Sequence, residues 1–300
     1  MENKAVIIGA GVGGMTLAIY LKRAGVNFSL IEEKRPGGQI NFALSVENFP
    51  SYPKISGREL SSKIFEQVKE LDIDYIKDKV LSIKKEKDSF SLQMKSGNVI
   101  TCNTIFIATG KHVKRLDIPN VNDYLGCGLS YCATCDGAFF KDKDVIVVGD
   151  NNDAVKDAMY LAAICKNVTI LVSGNELSAD KFYQDKLSNF SNVKISCNTI
   201  LKRLIKDDVL KQAEIVDAGV SEIINVDGCF ASVGYVPDSE IFKDLVKLDG
   251  DNYIVVDSNM KTSCDGVYAI GDVNNRKIFQ LLSAMDDAVV ASKDYLKNVN

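Results

Sequence analysis

Residues 5–21 read A-V-I-I-G-A-G-V-G-G-M-T-L-A-I-Y-L, an apolar run followed by a glycine-rich turn and a helical pattern. The first four residues are typical of a buried parallel strand, and the glycines after them form G-x-G-x-x-G at Gly9, Gly11 and Gly14. In such a loop the first glycine permits a tight turn, the second lets a pyrophosphate approach backbone N–H groups, and the third lets the helix pack on the strand. The stretch is shorter than the ~20 residues that a membrane span needs, so the pattern favours a nucleotide-binding strand, turn and helix.

The sequence after this helix strengthens that interpretation. A second apolar strand, Phe28 to Ile31, ends in Glu32, about 20 residues after the glycine loop, where an acid is expected on the adenosine ribose. Further along, a strand at 145–148 is followed by Gly149 and by a helical stretch at 153–163. The chain therefore predicts two nucleotide-binding βαβ units.

The second unit is predicted to lie inside the first. A C-terminal segment with G-V-Y-A-I-G-D at 266–272 completes the first unit. We expect an α/β fold of two three-layer, Rossmann-like domains, with residues 1–112 and 242–300 in the first domain and 113–241 in the inserted one.

The amino-acid composition excludes several classes of protein. The 300 residues are 46% hydrophobic and 25% charged with a net charge of −4, which excludes a disordered chain and gives no basic footprint for nucleic acid. Eight cysteines with one close pair are not a secreted disulfide framework. We expect a cytoplasmic protein that binds neither nucleic acid nor membrane.

The close pair lies in Y-C-A-T-C-D-G, residues 131–137. Cys132 and Cys135 are spaced to close a small disulfide ring, and Asp136 adjoins them. Zinc is the main alternative, but a structural zinc site needs four ligands, and the chain has no second close Cys or His pair and only one histidine, His112. Redox chemistry is the favoured interpretation.

Together these motifs resemble those of the low-molecular-weight thioredoxin reductases over essentially the whole chain. The shared stretches are G-A-G-V-G-G at 9–14, P-G-G-Q-I at 36–40, V-E-N-F-P at 46–50, I-A-T-G at 107–110, C-A-T-C-D-G at 132–137 and A-I-G-D at 269–272. The resemblance implies a homodimeric flavoprotein that reduces thioredoxin. It also implies that Cys135 faces the flavin, that Cys132 exchanges with the protein substrate, and that Asp136 gives or takes the proton.

The same resemblance implies bound FAD. The residues that it assigns to FAD are Gly9, Gly11, Gly13, Gly14, Glu32, Gly38, Gln39, Asn48, the backbone at Val80, Thr109, Gly110, Gly271, Asp272, Gln280 and Leu281.

The chain departs from this family in the second nucleotide site. The family has G-x-G-x-x-A where residues 149–154 read G-D-N-N-D-A, so Asn151 replaces a glycine and two aspartates bring negative charge towards the phosphates. After the next strand, the family's H-R-R-x-x-x-R, which binds the 2′-phosphate of NADPH, is replaced here by Val172, Ser173, Gly174 and Ser178. NADPH binding is therefore not expected in the inserted domain.

These losses make the chain similar to the ferredoxin-dependent flavin thioredoxin reductases, which share the fold and lack both NADPH motifs. That resemblance implies reduced ferredoxin as the electron donor. Other functions stay open on the sequence: an NADPH- or NADH-dependent thioredoxin reductase with an unusual site, an FAD-dependent dithiol oxidase, or a non-enzymatic flavin redox sensor.

Overall fold

The computed structural model describes residues 3–43 and 46–299. Its strands, numbered in chain order, are β1 (Asn3–Ile8), β2 (Phe28–Glu32), β3 (Tyr75–Lys77), β4 (Val80–Lys85), β5 (Phe90–Met94), β6 (Val99–Ile107), β7 (Lys111–Val113), β8 (Leu129–Ser130), β9 (Asp144–Val148), β10 (Asn167–Leu171), β11 (Val193–Ser196), β12 (Thr199–Lys206), β13 (Leu210–Asp217), β14 (Val220–Asn225), β15 (Gly228–Ala231), β16 (Tyr235–Pro237) and β17 (Val267–Ala269).

The α-helices are α1 (Val12–Arg23), α2 (Gly57–Glu70), α3 (Ala133–Asp136), α4 (Asn152–Ala162), α5 (Lys181–Leu187) and α6 (Leu281–Val299). Short 3-10 helices span Gly38–Phe42, Val121–Tyr124, Gly137–Phe140, Glu240–Phe242 and Gly271–Val273. Within the described ranges no helix is long and apolar enough to cross a membrane.

The first unit, Met1–His112 with Val236–Asn300, is built on a seven-stranded mixed sheet. Its strand order is β3-β2-β1-β6-β5-β4, with β17 also paired to β6. Strand β1 is apolar at successive positions because both of its faces are covered: Ala5 and Ile7 pack in one core with α1 and α6, and Val6 and Ile8 in another with β4–β6.

The second unit, Val113–Tyr235, has a five-stranded parallel sheet of order β11-β10-β9-β15-β8 and a three-stranded antiparallel sheet β12-β13-β14. On one face of β9, Val145 and Val147 pack with α4; on the other, Ile146 packs with apolar residues of β12 and β13. Each unit is thus layered around its own sheet. The expected α/β fold with two Rossmann-like domains is confirmed.

The second domain boundary differs from the sequence-based one at residue 242, since the first unit resumes at Val236. Two non-local features account for the difference. Strand β16 pairs with β7, and Asp238 donates its backbone N–H to the Gly110 carbonyl at 2.9 Å. Phe242, placed at the start of the returning segment, is fully buried in a core of the first unit.

Candidate active site

The glycine loop of the first unit joins β1 to α1. Gly9 has φ +106°, and a Cβ on Gly9 or Gly14 would collide with backbone atoms, so these two positions require glycine. Gly11 is the N-cap of α1, where no side chain accepts a hydrogen bond from the first turn, and the space beside its Cα is open. The first amides of α1 are therefore left without a side-chain acceptor, as phosphate binding at a helix N-terminus requires.

Two neighbouring segments meet this loop. The Glu32 carboxylate, at the end of β2, accepts the backbone N–H groups of Ala10 and Lys34, each at 2.8 Å. Gly37 donates its backbone N–H to the Ala10 carbonyl at 2.7 Å, which brings the 3-10 helix with Gly38 and Gln39 to the loop. Hydrogen bonds from backbone N–H groups to the carboxylate thus hold the predicted ribose-binding acid beside the predicted phosphate loop.

More distant predicted FAD residues are joined by side-chain bonds. Gln39 Nε2 donates to the Lys111 carbonyl at 3.0 Å, and the Lys111 ammonium pairs with the Asp272 carboxylate at 3.2 Å. Asn48 Nδ2 donates to Gln280 Oε1 at 2.9 Å. Residues far apart in sequence are therefore brought to one region of the first unit.

The other predicted FAD residues occupy turns and element ends near these. Thr109 donates its hydroxyl to the Asp238 carbonyl at 2.8 Å, and Leu281 begins α6 and packs in the cluster that contains Val12. The rest are placed as follows: Gly13 beside Ala284, Gly110 with φ +71°, Gly271 with φ +72°, and Val80 buried in β4 opposite Met94. Contacts of these residues with FAD remain predictions.

In the second unit a disulfide bond joins Cys132 and Cys135, whose Cα atoms are 5.3 Å apart, so the predicted ring is confirmed. Cys132 is the N-cap of α3, and its Sγ accepts the backbone N–H of Cys135 at 3.2 Å. Thr134 Oγ1 lies 3.4 Å from the same sulfur. Because a disulfide sulfur carries no proton, the Thr134 hydroxyl is the donor.

Asp136 follows this ring and is held by Ser130, the last residue of β8. The Ser130 hydroxyl donates to Asp136 Oδ2 at 2.6 Å and accepts the backbone N–H of Cys132 at 3.0 Å. One buried hydroxyl thus connects the predicted proton carrier to the backbone of the redox ring.

The glycine loop of the second unit is filled by its own side chain. Asn151 is the N-cap of α4, and its Oδ1 accepts the backbone N–H groups of Asp153 and Ala154, each at 3.0 Å. Its Nδ2 donates to the Ser232 carbonyl at 3.2 Å. Two of the first amides of this helix are therefore already bonded to a side chain, in contrast to those of α1.

Acidic side chains surround this loop. Asp157, in α4, accepts a hydrogen bond from the Ser232 hydroxyl, and burial raises the pKa of its carboxyl to about 6. Lys156 is bonded to Asp153 at 3.3 Å. Ser173 and Gly174, where the family has arginines, are exposed. Weak phosphate binding at this loop stays a prediction.

Comparisons with known proteins define the family. The family model for pyridine nucleotide-disulphide oxidoreductases matches residues 3–292. The thioredoxin reductase of Rickettsia felis is 34% identical over 309 residues, 100% of this chain and 99% of that protein. The "34.2 kDa protein in rubredoxin operon" of Clostridium pasteurianum is 36% identical over 291 residues, 96% of this chain and 94% of that protein. The chain belongs to the thioredoxin reductase family. Lactococcus lactis thioredoxin reductase (FR conformation) superimposes with a TM-score of 0.94 at 31% identity, over 99% of this chain and 98% of that one.

The chain is therefore a flavoprotein disulfide oxidoreductase of the thioredoxin reductase type. Over residues 3–43 and 46–299, no three His, Cys, Asp or Glu side chains are grouped to hold a metal. The single histidine, His112, pairs with Asp238 at 2.7 Å, and both residues lie in the first unit. The Cys132–Cys135 disulfide lies in the second unit.

The sequence analysis did not assign a role to several side chains at these sites. They are Ser130 and Thr134 beside the disulfide, Lys111 and Asp287 in the first unit, and Asp157 in the second. Asp287 is fully buried, accepts the Gly271 N–H at 2.8 Å and pairs with Arg276, and burial raises the pKa of its carboxyl. For Asp287, the one signal available in the sequence was an acidic residue at a core position of a helical pattern.

Proposed function

We propose that this protein reduces thioredoxin through FAD and the Cys132–Cys135 dithiol/disulfide, with reduced ferredoxin as the electron donor. FAD would bind the first unit, and Cys135 would receive the electrons. We also expect the homodimer that the family resemblance implies, which sedimentation equilibrium would test.

The fit of FAD rests on the first unit's loop. The open N-terminus of α1 accommodates a pyrophosphate, Glu32 is held beside it for the ribose, and Asp272 and Gln280 lie on segments tied to the same region. Bound FAD would supply the exchange between one-electron and two-electron transfer that joins a ferredoxin to a disulfide.

The observation that carries the choice of donor is the contrast between the two helix N-termini. Gly11 leaves the first amides of α1 without a side-chain cap, whereas Asn151 Oδ1 occupies two amides of α4. A pyridine nucleotide would have to displace this cap and would gain no arginine partner at Ser173 or Gly174. Two or three lost charge-assisted bonds, at about 1.5–3 kcal/mol each, correspond to two or more decades of affinity.

Ferredoxin is an energetically sufficient replacement. An iron–sulfur donor near about −400 mV and a thioredoxin near about −270 mV differ by about 130 mV, which is about 6 kcal/mol for two electrons. The reduction would therefore run downhill without a nicotinamide.

The chain's own residues then complete thiol exchange. The N–H of Cys135 and the hydroxyl of Thr134 are both directed at Cys132 Sγ, an arrangement that favours the thiolate there after reduction. The Cys132 thiolate attacks one sulfur of the thioredoxin disulfide, which breaks, and the displaced thioredoxin sulfur takes a proton. The Cys135 thiol next gives its proton to Asp136, and its sulfur displaces the second thioredoxin sulfur from Cys132. That sulfur takes the proton from Asp136, so the enzyme ends as the disulfide and thioredoxin as the dithiol.

The test is anaerobic reduction of the flavin-loaded protein by NADPH, NADH or reduced ferredoxin, added separately while the flavin absorbance is followed. We expect bleaching by ferredoxin at least a hundredfold faster than by either nucleotide, consistent with the lost phosphate contacts. Fast bleaching by NADPH or NADH would instead establish a pyridine-nucleotide reductase. Rapid reoxidation by air with release of hydrogen peroxide would favour a dithiol oxidase, and no turnover of thioredoxin with any donor would favour a sensor.

A gain-of-function variant sharpens this test. Asn151→Gly combined with Ser173→Arg and Gly174→Arg removes the cap and restores cations, so it should bind NADPH more tightly than the wild type does. Its matched control is Asn151→Gly alone, which removes the cap and adds no charge. Equal NADPH affinity in wild type and triple variant would argue against the proposed reason for the loss of this site.

A further inference from the structure

We infer that Ser130 is a positioning residue for proton transfer at the redox disulfide, which it serves by fixing the Asp136 carboxylate. The inference rests on the proposed role of Asp136. The family resemblance implies functions for Cys132, Cys135 and Asp136, and it implies none for Ser130. Its position at the end of β8, two residues before the ring, places it between strand and redox centre.

Ser130 has one hydroxyl proton, and its bonding partners determine where that proton points. The hydroxyl oxygen accepts the Cys132 N–H at 3.0 Å, so the proton is free to be donated elsewhere. Asp136 Oδ2, at 2.6 Å, is the nearer acceptor, while the Cys132 carbonyl is 3.2 Å away. A short bond to a carboxylate is the stronger of the two, so the proton is directed to Asp136.

Burial makes this arrangement specific. Ser130 is only 5% exposed, and Leu129 beside it packs in a core of the second unit, so the hydroxyl is held by the sheet. The short α3 carries Asp136 only four residues after Cys132, which itself is bonded to Ser130. One side chain thereby links the Asp136 carboxylate to the backbone of the disulfide ring.

The matched control is Ser232→Ala. Ser232 is 7% exposed, lies in the same unit, and likewise donates its hydroxyl to an aspartate, Asp157. Removing this hydroxyl deletes a similar buried serine–aspartate bond at the nucleotide loop and leaves the disulfide region unchanged.

The experiment uses flavin-loaded protein reduced with dithiothreitol, so it depends on neither ferredoxin nor thioredoxin. Iodoacetamide alkylation of Cys132 and Cys135 is followed by peptide mass spectrometry over a range of pH. We expect Ser130→Ala to slow alkylation at neutral pH by about tenfold, the effect of losing one hydrogen bond to a charged group. The pH profile should change as it does in Asp136→Asn. Ser130→Thr, which keeps the hydroxyl, should restore it, and Ser232→Ala should match the wild type.

The double variant Ser130→Ala/Asp136→Asn separates positioning from general damage. If Ser130 acts through Asp136, the double variant reacts at the rate of Asp136→Asn alone. The inference would be overturned if the two losses of alkylation rate multiplied in the double variant. It would also be overturned if Ser130→Ala were alkylated at the wild-type rate. Wild-type alkylation in Asp136→Asn would overturn it too and would remove Asp136 from the proposed exchange, while the choice of electron donor would still be decided by flavin bleaching.

Discussion

At the scale of single residues, Asp157 links the glycine loop of the second unit to stability. Burial raises the pKa of its carboxyl to about 6, and its partner is the Ser232 hydroxyl. In the unfolded chain an aspartate has a pKa of about 3.9. Between these values the folded state binds more protons, so the stabilising contribution is fully present below about pH 3.9 and is lost as the pH rises through about 6.

Asp157→Asn should therefore stabilise the second unit above pH 7, on the order of 2 kcal/mol, because the amide accepts the Ser232 bond without a buried charge. The gain should shrink as the pH falls from about 8 to 4. Urea unfolding followed by far-UV circular dichroism at several pH values measures it. Asp185→Asn is the control, since Asp185 in α5 of the same unit is paired with Lys181 and does not contribute to the pKa shift of Asp157. A gain that is independent of pH would contradict this account.

The site residues that could be predicted from the sequence were those whose chemistry depends on local spacing. Cys132 and Cys135 close a ring because they are three positions apart, and the disulfide is present. Ser130 could not be predicted as a site residue, because its role depends on the hydrogen bond from its hydroxyl to Asp136. That bond is visible only once the position of β8 is known. Lys111 is a similar case, because its partner Asp272 lies in a distant segment.

At the scale of elements, the N-terminus of α4 is capped by the side chain of Asn151. Asn151 satisfies two orphan amides that a glycine would leave for phosphate. Asn151→Ala should lower stability by about 1 kcal/mol, and Asn151→Gly by only a few tenths. Chemical denaturation of the two variants provides the comparison. Equal losses would mean that the cap contributes little and that the loop is held by other bonds.

Sequence patterns predict the helices and strands closely. The residues at which these elements begin and end depend instead on hydrogen bonds formed in the folded protein. The helix predicted at 153–163 is α4, which spans Asn152–Ala162 and begins one residue earlier because Asn151 caps it. The boundary predicted at 242 lies instead at Val236, since strand β16 is defined by its pairing with β7, which no local pattern reveals.

At the scale of the whole molecule, the two units have separate hydrophobic cores. Among the described residues, the clusters around β1 and β6 contain only residues of the first unit, and those around β9 and β13 only residues of the second. A ligand that binds one unit should therefore stabilise mainly that unit, because binding to the native state adds free energy only where the site must be folded.

FAD added to flavin-free protein should consequently slow hydrogen exchange in peptides from β1, α1 and β6 more than in peptides from β9 and α4. At a hundredfold excess over its dissociation constant, the expected stabilisation of the first unit is about 2.7 kcal/mol. NADPH should protect neither set, since the amides at the start of α4 are bonded to Asn151. Hydrogen-exchange mass spectrometry resolves the two sets of peptides. Protection of α4 by NADPH would show that the nucleotide displaces the cap, and the argument for another electron donor would then lose its physical basis.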